Sequence, residues 1–545
     1  MTLTSRFQLR SVELEAKRAL STIWFSMNTS PTINRLPPEV LALIPSFLIS
    51  YKDLVYTTHV CRYWRDTIIA SPLLWSTLDN EKMCRGLVAA CMDRCGDAPL
   101  DVFFSSELHK NIPFLKKVVL RSSRIRKMHI PYSYTYQIGQ ISDAFDAPLP
   151  LLREVEFDIS HRSSPPQFRR PFLAGATNLV SLHVHVHTWP PDTLLHFNFP
   201  TLTKLTLFIH YSGTTTISEL LELFRTSPLI EALRIHAYAD VLDAPEENSA
   251  FPYEFQPVDL PCLYNIDLGW STIRSLYTLI THIQYPSNCS VSMQVRSESD
   301  IAQPPLDVFP KSWDAFSLPD LSCVTLRMKR EEYVTECAVV VKKPNGASVS
   351  VSHYQTLHEY VSRNWNGHLV RDPNRDRDDN RVFSDAIEFV GMLPLRLIRK
   401  FELKDLRADE MSKPELFEIP PALINMIRSD MTNLTTLSLT RTCVSELFNI
   451  LTPPPPPDLA GSDAAPGTIM LPCPALKVLK IRGPYWVTPQ HCHELLALAK
   501  ARKREGIPFE RVVFSPLWSG VPVGLTNVYP YVKHFEIQRR YWGGE

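Results

Sequence analysis

The chain has 545 residues, with 57 Lys+Arg balancing 57 Asp+Glu for a formal charge of zero. That balance excludes the global basic footprint of a dedicated nucleic-acid binder while leaving room for a local basic patch. With 46 Pro and only 17 Gly there is no glycine-rich phosphate loop of Walker or Rossmann type, and 44% hydrophobic residues supply cores for more than one domain.

The 11 Cys include no CxxC pair, and Cys262, Cys323 and Cys443 sit in apolar contexts. This suits free thiols packed as small hydrophobes in a reducing compartment, cytoplasmic or nuclear. The first residues lack the apolar core of a signal peptide, and no stretch approaches the ~18 consecutive apolar residues of a membrane helix. No membrane and no cofactor is expected.

Residues 1–30 read as an extension with one helix over 5–26, carrying Phe7, Leu14, Leu20, Ile23 and Trp24 at roughly helical spacing. Residues 31–80 read as a three-helix module. Pro37 and Pro38 suit a first helical turn, followed by Val40, Leu41, Ile44, Phe47 and Leu48 on the first helix. Asp53 is placed to cap a second helix over 54–69. Ser71–Pro72 opens a third, short helix with Leu74 and Trp75. On the second helix Leu54, Cys61 and Ile68 recur at seven residues, with Val60 and Trp64 on a neighbouring stripe. Two apolar stripes imply two things to pack against, the sister helices and either the rest of the chain or a partner. Pro45 lies inside the first helix, where it removes a hydrogen bond and costs about 3 kcal/mol.

A connecting helix is expected over 81–99, with Cys84, Cys91 and Cys95 packed in the core, followed by a strand at Leu100–Phe104. From residue 100 to 540 a short pattern dominates, apolar-x-x-apolar-x-apolar, soon after a Pro or a small loop. It occurs at Leu152-Val155-Phe157, Leu179-Leu182-Val184, Leu202-Leu205-Leu207, Ile230-Leu233-Ile235 and Leu263-Ile266-Leu268. It recurs at Leu321-Val324-Leu326, Ile398-Phe401-Leu403, Leu434-Leu437-Leu439 and Leu476-Leu479-Ile481. The period, with helical patterns such as 217–228 between, predicts strand–loop–helix units stacked as an α/β solenoid of irregular leucine-rich repeats. Two gaps are too long for one unit. One holds a strand at Cys289–Val295, the other a hairpin turning at Asn345–Gly346. Residues 371–381 and 452–468 read as insertion loops.

Several residues invite chemistry. His183, His185 and His187 alternate with Val and face away from the core if the strand reading holds. At the same offsets stand Phe208, then Arg234, His236 and Tyr238, making one candidate substrate-reading face. Arg327, Lys404 and Arg482 continue it as a basic end. A metal on the histidines is the sharper alternative, a solvated strand face the plainer one. His491-Cys492-His493 near Cys473 lacks zinc-ligand spacing. Lys500–Arg504 reads as a solvated helix end or a nuclear signal, and Pro453–Pro457 as a stiff loop or a polyproline ligand. No nucleophile–base pattern stands out, so the chain reads as non-enzymatic.

Residues 34–79 closely resemble an F-box. The signature runs Leu36-Pro37-x-Glu39-x-Leu41-x-x-Ile44, Asp53-Leu54, Val60-Cys61-Arg62-x-Trp64 and Ser71-Pro72-x-Leu74-Trp75. With Cys95–Asp101 and the irregular repeats behind it, the chain is similar to the large set of fungal F-box proteins. The resemblance implies an all-α F-box followed by a substrate-recognition domain, in the non-catalytic receptor of an SCF-type ubiquitin ligase. It implies a Skp-type adaptor and, through it, a cullin as partners, with an unknown protein substrate. The implied adaptor contacts are Leu36, Pro37, Leu54, Val60, Cys61, Trp64, Leu74 and Trp75. The alternative is an F-box interaction scaffold without ligase function, which the unusual Pro45 favours.

Overall fold

The computed structural model describes residues 3–29, 32–48, 51–105, 108–131, 149–159, 173, 176–188, 198–211, 217–237, 256–270, 273–298, 321–330, 334–356, 383–384, 386–407, 420–440, 448, 451–452, 472–482, 489–515 and 524–538. The expected loop at 371–381, all but Thr452 of that at 452–468, and Cys443 and Tyr238 lie outside them. The chain forms two compact units, Met1–Thr206 and Leu207–Glu545.

In the first unit a helix, Leu3–Thr29, precedes the helical module. The first module helix, Pro38–Ser46, ends one residue past Pro45. Proline can neither donate to the carbonyl of Leu41 nor let the helix run on unkinked, and the chain leaves at Phe47. The expected single helix over 54–69 is instead two, Tyr51–Thr57 and Arg62–Ile69. The break has a local cause. Thr57 and Thr58 turn their hydroxyls back onto the carbonyls of Leu54 and Val55 at 2.6 and 2.7 Å, competing with helix propagation. Cys61 is then extended and starts the next helix. Asp53 accordingly sits within the first turn rather than capping it.

The module runs without a linker into a sheet. The strand Thr77–Asp79 pairs in parallel with Leu100–Phe103, which pairs with Ile125–Ile130, then Glu154–Ile159, then Ser181–Thr188. The connecting helix is Arg85–Arg94, shorter than expected, because Asp79 accepts from the backbone N–H groups of Glu81 and Lys82 and holds a turn there. Cys91 and Cys95 are buried, but Cys84 precedes the helix and is exposed.

In the second unit the pairing order is Ala232–Ala237, Asn265–Trp270, Ser290–Glu298, Ser348–Thr356, Val334–Lys342, Cys323–Arg330, Lys400–Arg407, Thr436–Thr440, Val478–Arg482, Arg511–Ser515 and His534–Ile537. All pairs are parallel except the two made by Val334–Lys342. The hairpin of the long gap is therefore built into the sheet. Gly346 at its turn has φ +90°, a value that favours glycine.

Every residue of the nine apolar trios is buried. A recurring turn precedes them: the N–H of the first trio residue donates to the carbonyl three back, as in Leu152→Leu149, Leu202→Phe199, Ile230→Ser227, Leu263→Leu260 and Leu476→Cys473. In these five turns Pro follows the acceptor residue, the position where its fixed φ is favoured. Asn178 and Asn433 donate their side-chain amides to the carbonyls of Pro150 and Arg396 in the turn of an earlier strand, both at 2.8 Å. Cys262 lies in such a turn and is exposed, whereas Cys323 is buried on a strand.

His353 is buried inside the second unit, and burial lowers its pKa to about 4. The folded state keeps the ring neutral while the unfolded chain takes a proton below about 6.5. Stability is thus full above pH 6.5 and falls as pH drops toward 4, by about 3 kcal/mol for this group. Urea midpoints across that window are expected to decline for the native chain and to decline less for His353→Gln.

Candidate functional site

The helical module is held by a small core and a few polar bonds. Leu41 and Ile68 are fully buried. Trp64 is 6% exposed, and its indole N–H donates to Asn34 Oδ1 at 2.7 Å. Tyr63 donates to the Leu36 carbonyl at 2.7 Å, and Arg65 to the Thr58 carbonyl at 3.0 Å. Trp75 is 1% exposed, donates to the Ile68 carbonyl at 2.8 Å and lies under the Arg94 guanidinium at 4.5 Å.

These facts redistribute the eight residues singled out in the sequence. Leu54, Cys61, Trp64 and Trp75 are buried in the chain itself. Their expected role as presented surface is corrected: the seven-residue stripe and both tryptophans fill the module's interior and its junction with Arg94. Pro37 and Val60 are exposed, and Leu36 and Leu74 are half-buried.

The apolar surface lies elsewhere. Val40, Leu43, Phe47 and Leu48 are exposed on the first helix and its exit, and Tyr56 and Val60 on the second helix and the turn after it. Phe47 is the extreme at 82%. A large aromatic left in water is informative where a scattered leucine is not. Pro45, buried at the helix end, is what puts Phe47 there. The sequence reading grouped Phe47 with the apolar residues of the first helix; Pro45, which that reading singled out, is where the helix ends.

The second candidate face divides between the units. In the first, His185 Nδ1 lies 3.2 Å from Asp158 Oδ1, and His183 stands opposite Glu156 in the register. His187 is on the same strand, with its side chain outside the described set. In the second, Phe208 and His236 meet at 5.2 Å between ring centroids. His236 is buried, contrary to its expected exposure. It fits because its neighbour in register is Gly269, where any Cβ would fall 2.9 Å from the imidazole Nδ1. Its Nε2 is 3.3 Å from Asp267 Oδ2, which also receives Arg234 Nε at 2.9 Å. Burial opposes the Asp267 charge, but His236 and Arg234 outweigh it and hold the carboxyl below its usual range. Arg234 remains exposed.

Among the described residues no group of three or more His, Cys, Asp or Glu is placed to hold a metal. His493 Nδ1 contacts the Pro489 carbonyl at 2.7 Å, and Cys473 donates to the Ile427 carbonyl at 2.8 Å. Of the cationic run at the end of the Pro489–Arg504 helix, Arg502 is fully buried rather than solvated.

Compared with known families, residues 33–81 match the F-box-like family model. No curated protein matches the chain. The matched stretch spans the helical module and ends just beyond the Thr77–Asp79 strand.

Proposed function

We propose that the chain is the substrate-recognition subunit of an SCF-type ubiquitin ligase. The F-box-like domain at 33–81 would dock on a Skp-type adaptor and through it reach a cullin. Residues 100–540, read as irregular leucine-rich repeats, would hold a protein target. The chain supplies no catalytic group in this scheme. It raises the effective concentration of a target lysine beside the charged conjugating enzyme. Acting inside the cell, in cytoplasm or nucleus, it would direct its target to degradation.

The observation that carries the reading is the F-box-like match together with the apolar side chains that the folded module leaves in water, Phe47 above all. In this reading the docking residues would be Val40, Leu43, Phe47, Tyr56 and Val60, exposed on the module, with the expected contacts Leu36, Pro37 and Leu74 beside them. Leu54, Cys61, Trp64 and Trp75, buried in the chain, would contribute by keeping the module folded.

Co-purification of the full chain with adaptor and cullin is the test. Recovery of both supports the ligase reading. Recovery of adaptor without cullin supports the scaffold alternative, and recovery of neither removes the ligase reading.

A further inference from the structure

The outer face of the second unit carries an ordered set of cations. In a strand successive side chains point to opposite faces. Phe401, Leu403, Leu437, Leu439, Leu479 and Ile481 are buried on one face. The other is therefore formed by Lys400, Glu402 and Lys404, then Thr436, Ser438 and Thr440, then Val478, Lys480 and Arg482. The register aligns them as Lys400–Thr436–Val478, Glu402–Ser438–Lys480 and Lys404–Thr440–Arg482. Three short hydroxyl side chains thus form a floor, with longer side chains about 5 Å to either side.

The charges on this face do not cancel. Lys400 and Lys404 both pair with Glu402, at 2.6 and 3.0 Å. On the next strand over, Arg511 pairs with Glu536. Lys480 and Arg482 pair with no carboxylate among the described residues. Five cations face two carboxylates. Burial, then Arg482, Lys400 and Arg511, lower the Lys480 ammonium pKa, and Glu402 offsets them only in part. A cation crowded by like charge is relieved by an incoming anion.

We propose that this trough over Thr436–Thr440 takes an extended, carboxylate-rich segment of the protein the chain recruits. The identity of that occupant rests on the receptor reading; the trough does not. In an extended segment, side chains two residues apart lie on one face about 7 Å apart, the same repeat as Lys480 and Arg482 along their strand. One carboxylate then meets Lys480 and the Ser438 hydroxyl, and the next meets Arg482 and the Thr440 hydroxyl. Arg482 can take its carboxylate through two N–H groups. The two unpaired cations occupy separate steps of the strand instead of converging on one point. That spacing fits single negative charges in series better than one doubly charged phosphate.

The test uses the full chain and a fluorescent peptide with Glu at alternate positions, followed by anisotropy. Binding is expected, weakened by added salt and by roughly tenfold or more in the Lys480→Glu/Arg482→Glu variant. The neutral Lys480→Met/Arg482→Met variant is expected to lose affinity as well, with an unchanged circular dichroism spectrum. Lys204→Glu, on the first unit, is expected to bind as the native chain does. No binding of the acidic peptide by the native chain, or native-like binding by both double variants, overturns the proposal. So does preference for a phosphoserine peptide or a single-stranded oligonucleotide over the acidic peptide. Adaptor capture measured on the same variants separates the two readings. Retained capture with lost peptide binding is expected. Peptide binding by a chain that never captures adaptor ends the receptor reading and leaves the trough standing.

Discussion

Phe47→Asp is expected to reduce capture of a Skp-type adaptor by roughly 30- to 1,000-fold while the chain stays folded. The size follows from what single aromatic anchors contribute at interfaces, about 2–4 kcal/mol each. The side chain is 82% exposed, so the change removes no packing from the free protein, and what it costs must appear on binding. Val60→Asp is expected to act in the same direction. Leu120→Asp, equally exposed at 85% but outside the matched 33–81 stretch, is the control and is expected to leave capture intact. Trp64→Ala should behave differently. It opens a cavity and removes the indole N–H that Asn34 accepts, costing about 3–5 kcal/mol of module stability, so adaptor binding fails through unfolding visible by circular dichroism. Native capture by Phe47→Asp, measured by surface plasmon resonance, would move the docking surface away from the first helix exit.

That contrast shows what was legible in the sequence. The order Leu36-Pro37, Val60-Cys61-Arg62-x-Trp64, Ser71-Pro72 located the module, because residue identities at fixed spacing survive without knowing the fold. That both tryptophans face inward was not legible. Period counts apolar positions, and the partner of each stripe is a tertiary matter. Trp64 is turned inward by Asn34, thirty residues away in the chain, and no local rule reaches that far.

The sheet divides the same way. The apolar trios marked every strand that carries one, since burial at i, i+3 and i+5 follows from the turn and the strand period. The Thr77–Asp79 strand, three residues long, is too short for any period. The hairpin at Asn345–Gly346 was readable from its turn chemistry, but not its insertion between Ser290–Glu298 and Cys323–Arg330. Strand order is set by which edges pair, and every edge offers the same backbone groups. His236 likewise read as exposed from alternation, and the space that buries it comes from Gly269 on the adjoining strand.

Arg502 is the clearest case of a role that composition hides, and it links the fold to the proposed trough. In Lys500–Arg504 three of four cations are exposed, while Arg502 is fully buried. Its guanidinium donates to the carbonyls of Pro472, Cys473, Pro474 and Leu476, the last at 2.9 Å, and lies 4.8 Å from the Phe509 ring centroid. These carbonyls belong to the turn that starts the Val478–Arg482 strand. Cys473 there has φ +46°, an unusual conformation for a residue other than glycine. No acidic group neutralises Arg502 among the described residues; the carbonyl dipoles hold it. Arg502→Met keeps the bulk and removes the donors, leaving buried acceptors unsatisfied at about 1–3 kcal/mol each for those without another partner. A loss of about 3 kcal/mol is expected, read as faster amide exchange over Leu476–Arg482. Arg502→Lys keeps the charge but cannot span four carbonyls with a fork, and is expected to recover only part of it. The acidic peptide should bind Arg502→Met more weakly although no surface charge has changed, because Lys480 and Arg482 ride on the strand that this turn fixes. Native exchange rates in Arg502→Met would show that the turn holds itself, and would reduce Arg502 to filler beside Phe509.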